Sequence, residues 1–366
     1  MPYTFDQPAI PGTAIPGAQI PRSLQFALFV TGLLWVMASR KAAEHAALGI
    51  GTQFHFSAIQ PLLTEGFFLF LILAGFATLH WIAIRRLAPD QTGARATNAL
   101  PKRPTSRNEW LLGAALGWGL LLAALVPMIL AGDLHPQFWL APRSWGLALI
   151  SLGAIALGTL ALEAAWRGYL FKRLIDATGP VIATIVLSMV YAILSGLRPN
   201  ATGLSILVTF LAGLLFSLAY LRTHALWLGW GLHFAWVAAA GVLFGLPVAG
   251  SLDYSSLVST DSHGLRWLTG GEYGPDGALL TGFVLIAGMV LLYRATRDYA
   301  WAYTHPPIVA GGYAVVVQPP AAHTAMEQTA AAAPAPLVQI AAITPASAST
   351  MPAIDEHLRR ESEDRE

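Results

Sequence analysis

Eight apolar stretches punctuate this sequence, at about 23–39, 62–84, 110–131, 146–166, 180–197, 202–220, 225–246 and 278–293. Most approach the roughly 20 residues that carry a helix across a bilayer. Lipid offers no hydrogen bonds, so a spanning segment must satisfy its backbone as a helix or within a closed barrel. The alternating apolar and polar pattern of a barrel is not seen. The expected fold is therefore all-α, a polytopic transmembrane helix bundle of about eight spans. Composition agrees, since 55% of the 366 residues are hydrophobic and only 11% charged, against about a quarter charged in soluble domains.

A formal charge of +1 gives no basic field, and Lys and Arg gather at the ends of the apolar runs, so nucleic acid is not an expected partner. The lack of cysteine excludes disulfides, thiolate metal sites and cysteine nucleophiles. Residues 1–22 are rich in Pro and Gly without a basic leader, which reads as a flexible N-terminus and not a cleaved signal. Placing both termini in the cytoplasm puts Arg85, Arg86, Arg95, Lys102, Arg103, Arg107, Lys172, Arg173, Arg222, Arg294 and Arg297 inside, as the positive-inside rule asks. Arg143, Arg198 and Arg266 then fall outside, with Arg40 and Lys41 as the awkward pair. The expected location is the plasma (inner) membrane. Residues 23–109 read as two spans and a cytoplasmic loop, 110–296 as the main bundle, and 297–366 as an Ala- and Pro-rich disordered tail. The fourth run is expected to continue as one helix from about Ser144 to the stop at Gly179-Pro180, and its small residues suit close packing in lipid.

An ionisable side chain at bilayer depth costs roughly 2.5–3.5 kcal/mol, so each one calls for a partner or a wet cavity. In LEAAWRGYLFKRL, Glu163 and Arg167 stand at i and i+4, on one helical face with the acid N-terminal, the better order for pairing. On its own the pair reads equally as a buried salt bridge that orients a helix. His233, in WGWGLHFAWVAAAG, has only apolar and aromatic neighbours in sequence, a setting in which a histidine usually bonds a backbone carbonyl or a hydroxyl. Glu65 and His80 are further buried polar candidates, read as structural. No His-Glu-x-x-His motif is present, and a catalytic zinc takes three protein ligands, so no metal or other cofactor is expected. Gly-x-Ser-x-Gly is absent too. The glycine-rich TGGEYGPDGALLTG lacks the Gly-Lys-Ser/Thr ending of a phosphate loop and reads as an external loop before the last span.

The order of these pieces over about Trp110 to Tyr293 resembles the CPBP family, the CAAX-protease and bacteriocin-processing intramembrane endopeptidases that include the type II CAAX prenyl proteases. That family carries Glu-Glu-x-x-x-Arg, then Phe-x-x-x-His, then His-x-x-x-Asn on separate helices. The first glutamate and the middle histidine activate water, while the last histidine and the asparagine stabilise the oxyanion. Laid on this chain, the first motif puts Leu162 at the leading glutamate, Glu163 at the second and Arg167 at the arginine. The second falls on YAILS, with Tyr191 for phenylalanine and Ser195 for histidine. The third keeps His233 and places Val237 at the asparagine. RPNATG, RTHALWLGWGLHFAW, GLPVAG and GGEYGPDG extend the likeness, with Asp276 where relatives often carry glutamate.

The resemblance implies an intramembrane endopeptidase frame whose reactive positions have changed. Leucine cannot take a proton from water, and serine does not replace an imidazole. Three functions follow as expectations. The first is a pseudoprotease that binds a membrane peptide, helix or lipid, a transmembrane or prenylated peptide being the family-like partner. The second is an active endopeptidase that uses Glu163 and His233. The third, resting on the intramembrane charges alone, is a small-molecule or ion permease.

Overall fold

The computed structural model describes residues 20–83, 100, 104–138, 141–251, 254, 257–297, 308–310 and 313–315. Eight apolar helices run through it: α1 Arg22–Phe54, α2 Gln60–Ile82, α3 Ser106–Leu130, α4 Pro142–Thr178, α5 Pro180–Ser195, α6 Gly203–Thr223, α7 Trp227–Leu243 and α8 Leu279–Ala295. Helices α1, α3, α4 and α6, and α2 with the turn before it, are long and apolar enough to cross a membrane; α5, α7 and α8 are shorter. The bundle is all-α apart from two small antiparallel pairs. Strands β1 (Leu134–Phe138) and β2 (Val258–Ser262) join the connections before α4 and before α8. The other pair, β3 (Ile308–Ala310) and β4 (Tyr313–Val315), falls within the segment expected to be a tail. The expected N-terminal segment up to residue 19, the basic loop residues 84–99 and 101–103, and the rest of the tail lie outside the described residues.

Local chemistry sets the helix boundaries. Pro142 and Pro180 open α4 and α5 in the first turn, where a missing N–H costs nothing. Gly179, at φ +86°, takes the conformation that ends α4. Thr202 and Ser205 cap α6 reciprocally, at 3.1 and 2.8 Å.

Helix α1 departs from expectation. Instead of stopping near Arg40 it runs 33 residues, because its charges are compensated. Arg40 Nη1 lies 2.7 and 2.9 Å from the two Glu65 oxygens of α2, and Arg40 Nε lies 3.1 Å from Glu44. Lys41 pairs with Glu44 at 2.8 Å. The pair that sat badly with the charge rule is thus largely neutralised, and Glu65 has the structural role expected of it. His80 does too: Arg173 of α4 donates to its Nδ1 and to Gln25 Oε1 of α1, both at 3.0 Å.

Two apolar clusters form the interior. One is built from α1, α2, α4 and α5, around Phe68, Ile72, Leu170, Phe171 and Leu187. The other is built from α3, α6, α7 and α8, around Leu121, Leu125, Leu215, Leu232 and Val242, with Ala148 and Ile155 from the first half of α4. Within the second, α3 and α7 approach backbone to backbone. A Cβ built at Gly113 would overlap the Leu228 carbonyl, one at Gly117 the Leu232 carbonyl, and one at Gly231 the Trp110 carbonyl. Small residues give this closeness, as in other helix pairs packed in lipid. On α4 the small residues do something different, since Gly158 leaves room for the Glu65 carboxylate, 2.7 Å from where its Cβ would stand.

Candidate functional site

Helix α4 keeps α-helical form to Glu163, passes through a π segment at Ala164–Leu170, and resumes at Phe171. Helix α7 likewise turns to π form at Ala239–Leu243. Wide turns of this kind are rare and re-aim the side chains beside them. Here they fall on the two helices that carry Glu163, Arg167 and His233.

These three side chains meet. His233 Nδ1 is 2.9 Å from Glu163 Oε1, and Arg167 Nη1 is 3.5 Å from the same oxygen. An ionised carboxylate only accepts hydrogen bonds, so beside Arg167 the imidazole carries its proton on Nδ1 and donates it. Glu163 and Arg167 are each 1% exposed and His233 8%. The His233 partner is a carboxylate, in place of the carbonyl or hydroxyl expected from sequence. Aromatic rings close the site: the Arg167 guanidinium carbon lies 4.9 Å from the Phe216 ring centre and 5.2 Å from that of Tyr191, distances at which ring faces attract a cation. Phe216 also lies against His233, with ring centres 4.8 Å apart. Gly229 leaves room for the Glu163 carboxylate, which stands 3.1 Å from the place a Cβ would take. Around Glu163, α4 gives Ala161, Ala165 and Trp166 to one apolar cluster, while beside His233 α7 gives Leu232 and Trp236 to the other, so the contact spans their seam.

The remaining expected site residues are arranged differently. Tyr191 covers Arg167. Half-buried Leu162 packs against the α1/α2/α4/α5 cluster, and buried Val237 belongs to the other one. Ser195 turns its hydroxyl back onto its own helix, donating to Ala192 O at 2.7 Å. No hydrogen bond among the described residues links Leu162, Ser195 or Val237 to Glu163 or His233. Nor do any three His, Asp or Glu among the described residues stand close enough together to hold a metal ion.

Beyond the ends of α5 and α7 lies a second polar layer. Asp276, in the turn Pro275–Gly277, accepts from Trp236 Nε1 at 2.8 Å and from the Ala249 N–H at 3.0 Å. It ties the loop before α8 to the helix that carries His233. The Tyr273 hydroxyl is buried without a hydrogen-bond partner among the described residues. Burial pushes the Asp276 carboxyl above its ordinary range, against the opposing pull of its two donors and of Arg198. A carboxyl that binds its proton more tightly in the folded chain adds stability in full below its unfolded pKa, near 4, and loses that contribution as pH rises through its folded value. Stability should therefore fall as pH is raised from about 4, and Asp276→Asn should flatten that slope in unfolding measurements at several pH values.

Phe216, Gly229 and the Trp236–Asp276 bond were not singled out for the site by sequence. The aromatic residue at 216 carries no motif, whereas the glycines around Trp230 offered a signal of close packing.

Residues 143–239 match a family model described as type II CAAX prenyl endopeptidase Rce1-like. No curated protein and no solved structure matches the chain. The matched segment holds α4 from its first turn through the α-helical part of α7, and with it Glu163, Arg167, Tyr191, Ser195, His233 and Val237. Over that segment the chain is similar to the CAAX-protease-like family, and its long apolar helices are those of an integral membrane protein.

Proposed function

We propose that the protein is a pseudoprotease, a CAAX-protease-like bundle that binds a membrane peptide, helix or lipid without hydrolysing it. The observation that carries this reading is the state of Glu163. Its Oε1 is engaged by both His233 and Arg167, the group is 1% exposed, and Leu162 occupies the position of the family's leading glutamate. A general base must reach the water it deprotonates. Glu163 instead joins two halves of the bundle. A transmembrane or prenylated peptide is the partner the family suggests. A plasma-membrane location with both termini cytoplasmic suits the loop charges, and more so with Arg40 paired to Glu65.

One observation favours the active alternative. A carboxylate that fixes the tautomer of a histidine is also how hydrolases orient a base, and His233 Nε2 is not committed to Glu163. The two readings separate in one experiment. The purified chain carrying Leu162→Glu, Ser195→His and Val237→Asn is reconstituted with a prenylated or transmembrane peptide beside the natural chain. Cleavage gained only by the triple variant supports the pseudoprotease; cleavage by the natural chain that vanishes in His233→Ala supports the alternative. A stepwise series starting from Leu162→Glu guards against overpacking at Ser195, where a bulkier side chain costs about 1–3 kcal/mol.

A further inference from the structure

Helices α3 and α7 both begin at the end of the bundle where α4 and α6 finish, and between their first turns is a groove of about 420 Å³ lined by Ser106, Arg107, Trp110, Leu111, Trp227 and Trp230. None of its lining residues is hydrogen-bonded to Glu163, Arg167 or His233 among the described residues. Its walls are indoles: the Trp110 and Trp230 ring centres are 5.9 Å apart and nearly perpendicular, and those of Trp227 and Trp230 are also 5.9 Å apart. Trp230 is held in place by donating from Nε1 to the Ala156 carbonyl at 3.1 Å. On the rim stands Arg107, exposed and without an ion-pair or hydrogen-bond partner among the described residues. Glu109, two residues on and so about 200° around the helix, is fully buried and accepts from Thr105 at 2.9 Å. It is not among the residues that line the groove.

Tryptophans at the ends of spanning helices lie at the level of lipid headgroups, one side apolar and the other wet. An exposed guanidinium there supplies a planar donor fork that fits phosphate oxygens. We propose that the groove is a binding site for one phospholipid, with its phosphodiester on Arg107 and its glycerol and upper acyl chain against Trp110, Trp227 and Trp230. Charge complementarity selects this occupant. An apolar chain alone has no use for the exposed cation, and a free phosphate leaves the indole walls uncovered, whereas a phospholipid satisfies both and surrounds an integral membrane protein at high concentration.

The test is native mass spectrometry of the full chain in dodecyl maltoside with added dioleoylphosphatidylglycerol, dioleoylglycerol or inorganic phosphate. One retained phosphatidylglycerol per chain is expected, with no retained dioleoylglycerol. Arg107→Ala should weaken retention roughly tenfold, the scale of one charge-assisted hydrogen bond. Arg107→Lys should recover part of it, and millimolar phosphate should leave it unchanged. Arg143→Ala, an exposed arginine at the start of α4 on the other end of the bundle, is the control for loosely held lipid. Equal retention of dioleoylglycerol, displacement by phosphate, no effect of Arg107→Ala, or an equal loss in Arg143→Ala would each overturn the proposal.

Discussion

Glu163→Ala should lower the unfolding free energy of the detergent-solubilised protein by about 3–5 kcal/mol, the scale of a buried ion pair that loses one partner. The loss goes beyond the pair's own attraction. Without the carboxylate, Arg167 remains 1% exposed with its charge against the faces of Phe216 and Tyr191, and its Nε already lacks an acceptor among the described residues. His233 Nδ1 is orphaned as well. Glu163→Gln keeps a carbonyl oxygen for His233 and should cost less, about 1–3 kcal/mol. Removing both charges with shape-filling apolar residues, as in Glu163→Leu with Arg167→Met, should recover most of the stability, because desolvation offsets much of the attraction in a buried pair. Reversible unfolding of the single and double variants, read as a double-mutant cycle, measures the coupling directly. If Glu163→Ala proves as stable as the parent, the contact across the seam is not a clamp.

The second large effect is expected where α3 meets α7. Gly113→Ala or Gly117→Ala drives a methyl group into a carbonyl of α7, and backbone gives way less readily than a side chain. Each change should cost about 1–3 kcal/mol, as overpacked cores do, and Gly117→Val more. Gly119, on the same helix, has open space where its Cβ would stand, so Gly119→Ala should be neutral or stabilising by up to about 1 kcal/mol from helix propensity. Thermal unfolding of this set separates close approach from a general intolerance of the helix to substitution. Because Leu232, whose carbonyl meets Gly117, precedes His233, the Gly117 variants should also weaken the coupling between Glu163 and His233.

The helices were legible because lipid demands long apolar segments, and all eight runs recur in the structure. The likeness to the family was legible too, since residues 143–239, which carry the motif positions on α4, α5 and α7, match its model. What sequence could not supply was partnership over distance. Arg40 looked like a stop because Glu65 lies 25 residues away, and His233 looked solitary because Glu163 is 70 residues away. The i,i+4 spacing of Glu163 and Arg167 correctly paired them, yet at 3.5 Å that contact is longer than the one to His233. The π segments left no mark in composition: AAWRGYL and AAGVL are ordinary apolar helix sequence. The Gly-x-x-x-Gly of residues 113–117 was a readable signal for close packing that the small residues of α4 overshadowed.

Peptide turnover by the unmodified chain bears most directly on the claim that Glu163 and His233 form a clamp and not a catalytic pair. Purified protein in lipid nanodiscs is incubated with a prenylated peptide and with a transmembrane peptide, and products are followed by mass spectrometry alongside Glu163→Gln. The expected result is no product from either protein. Product from the unmodified chain that disappears in Glu163→Gln would contradict that claim.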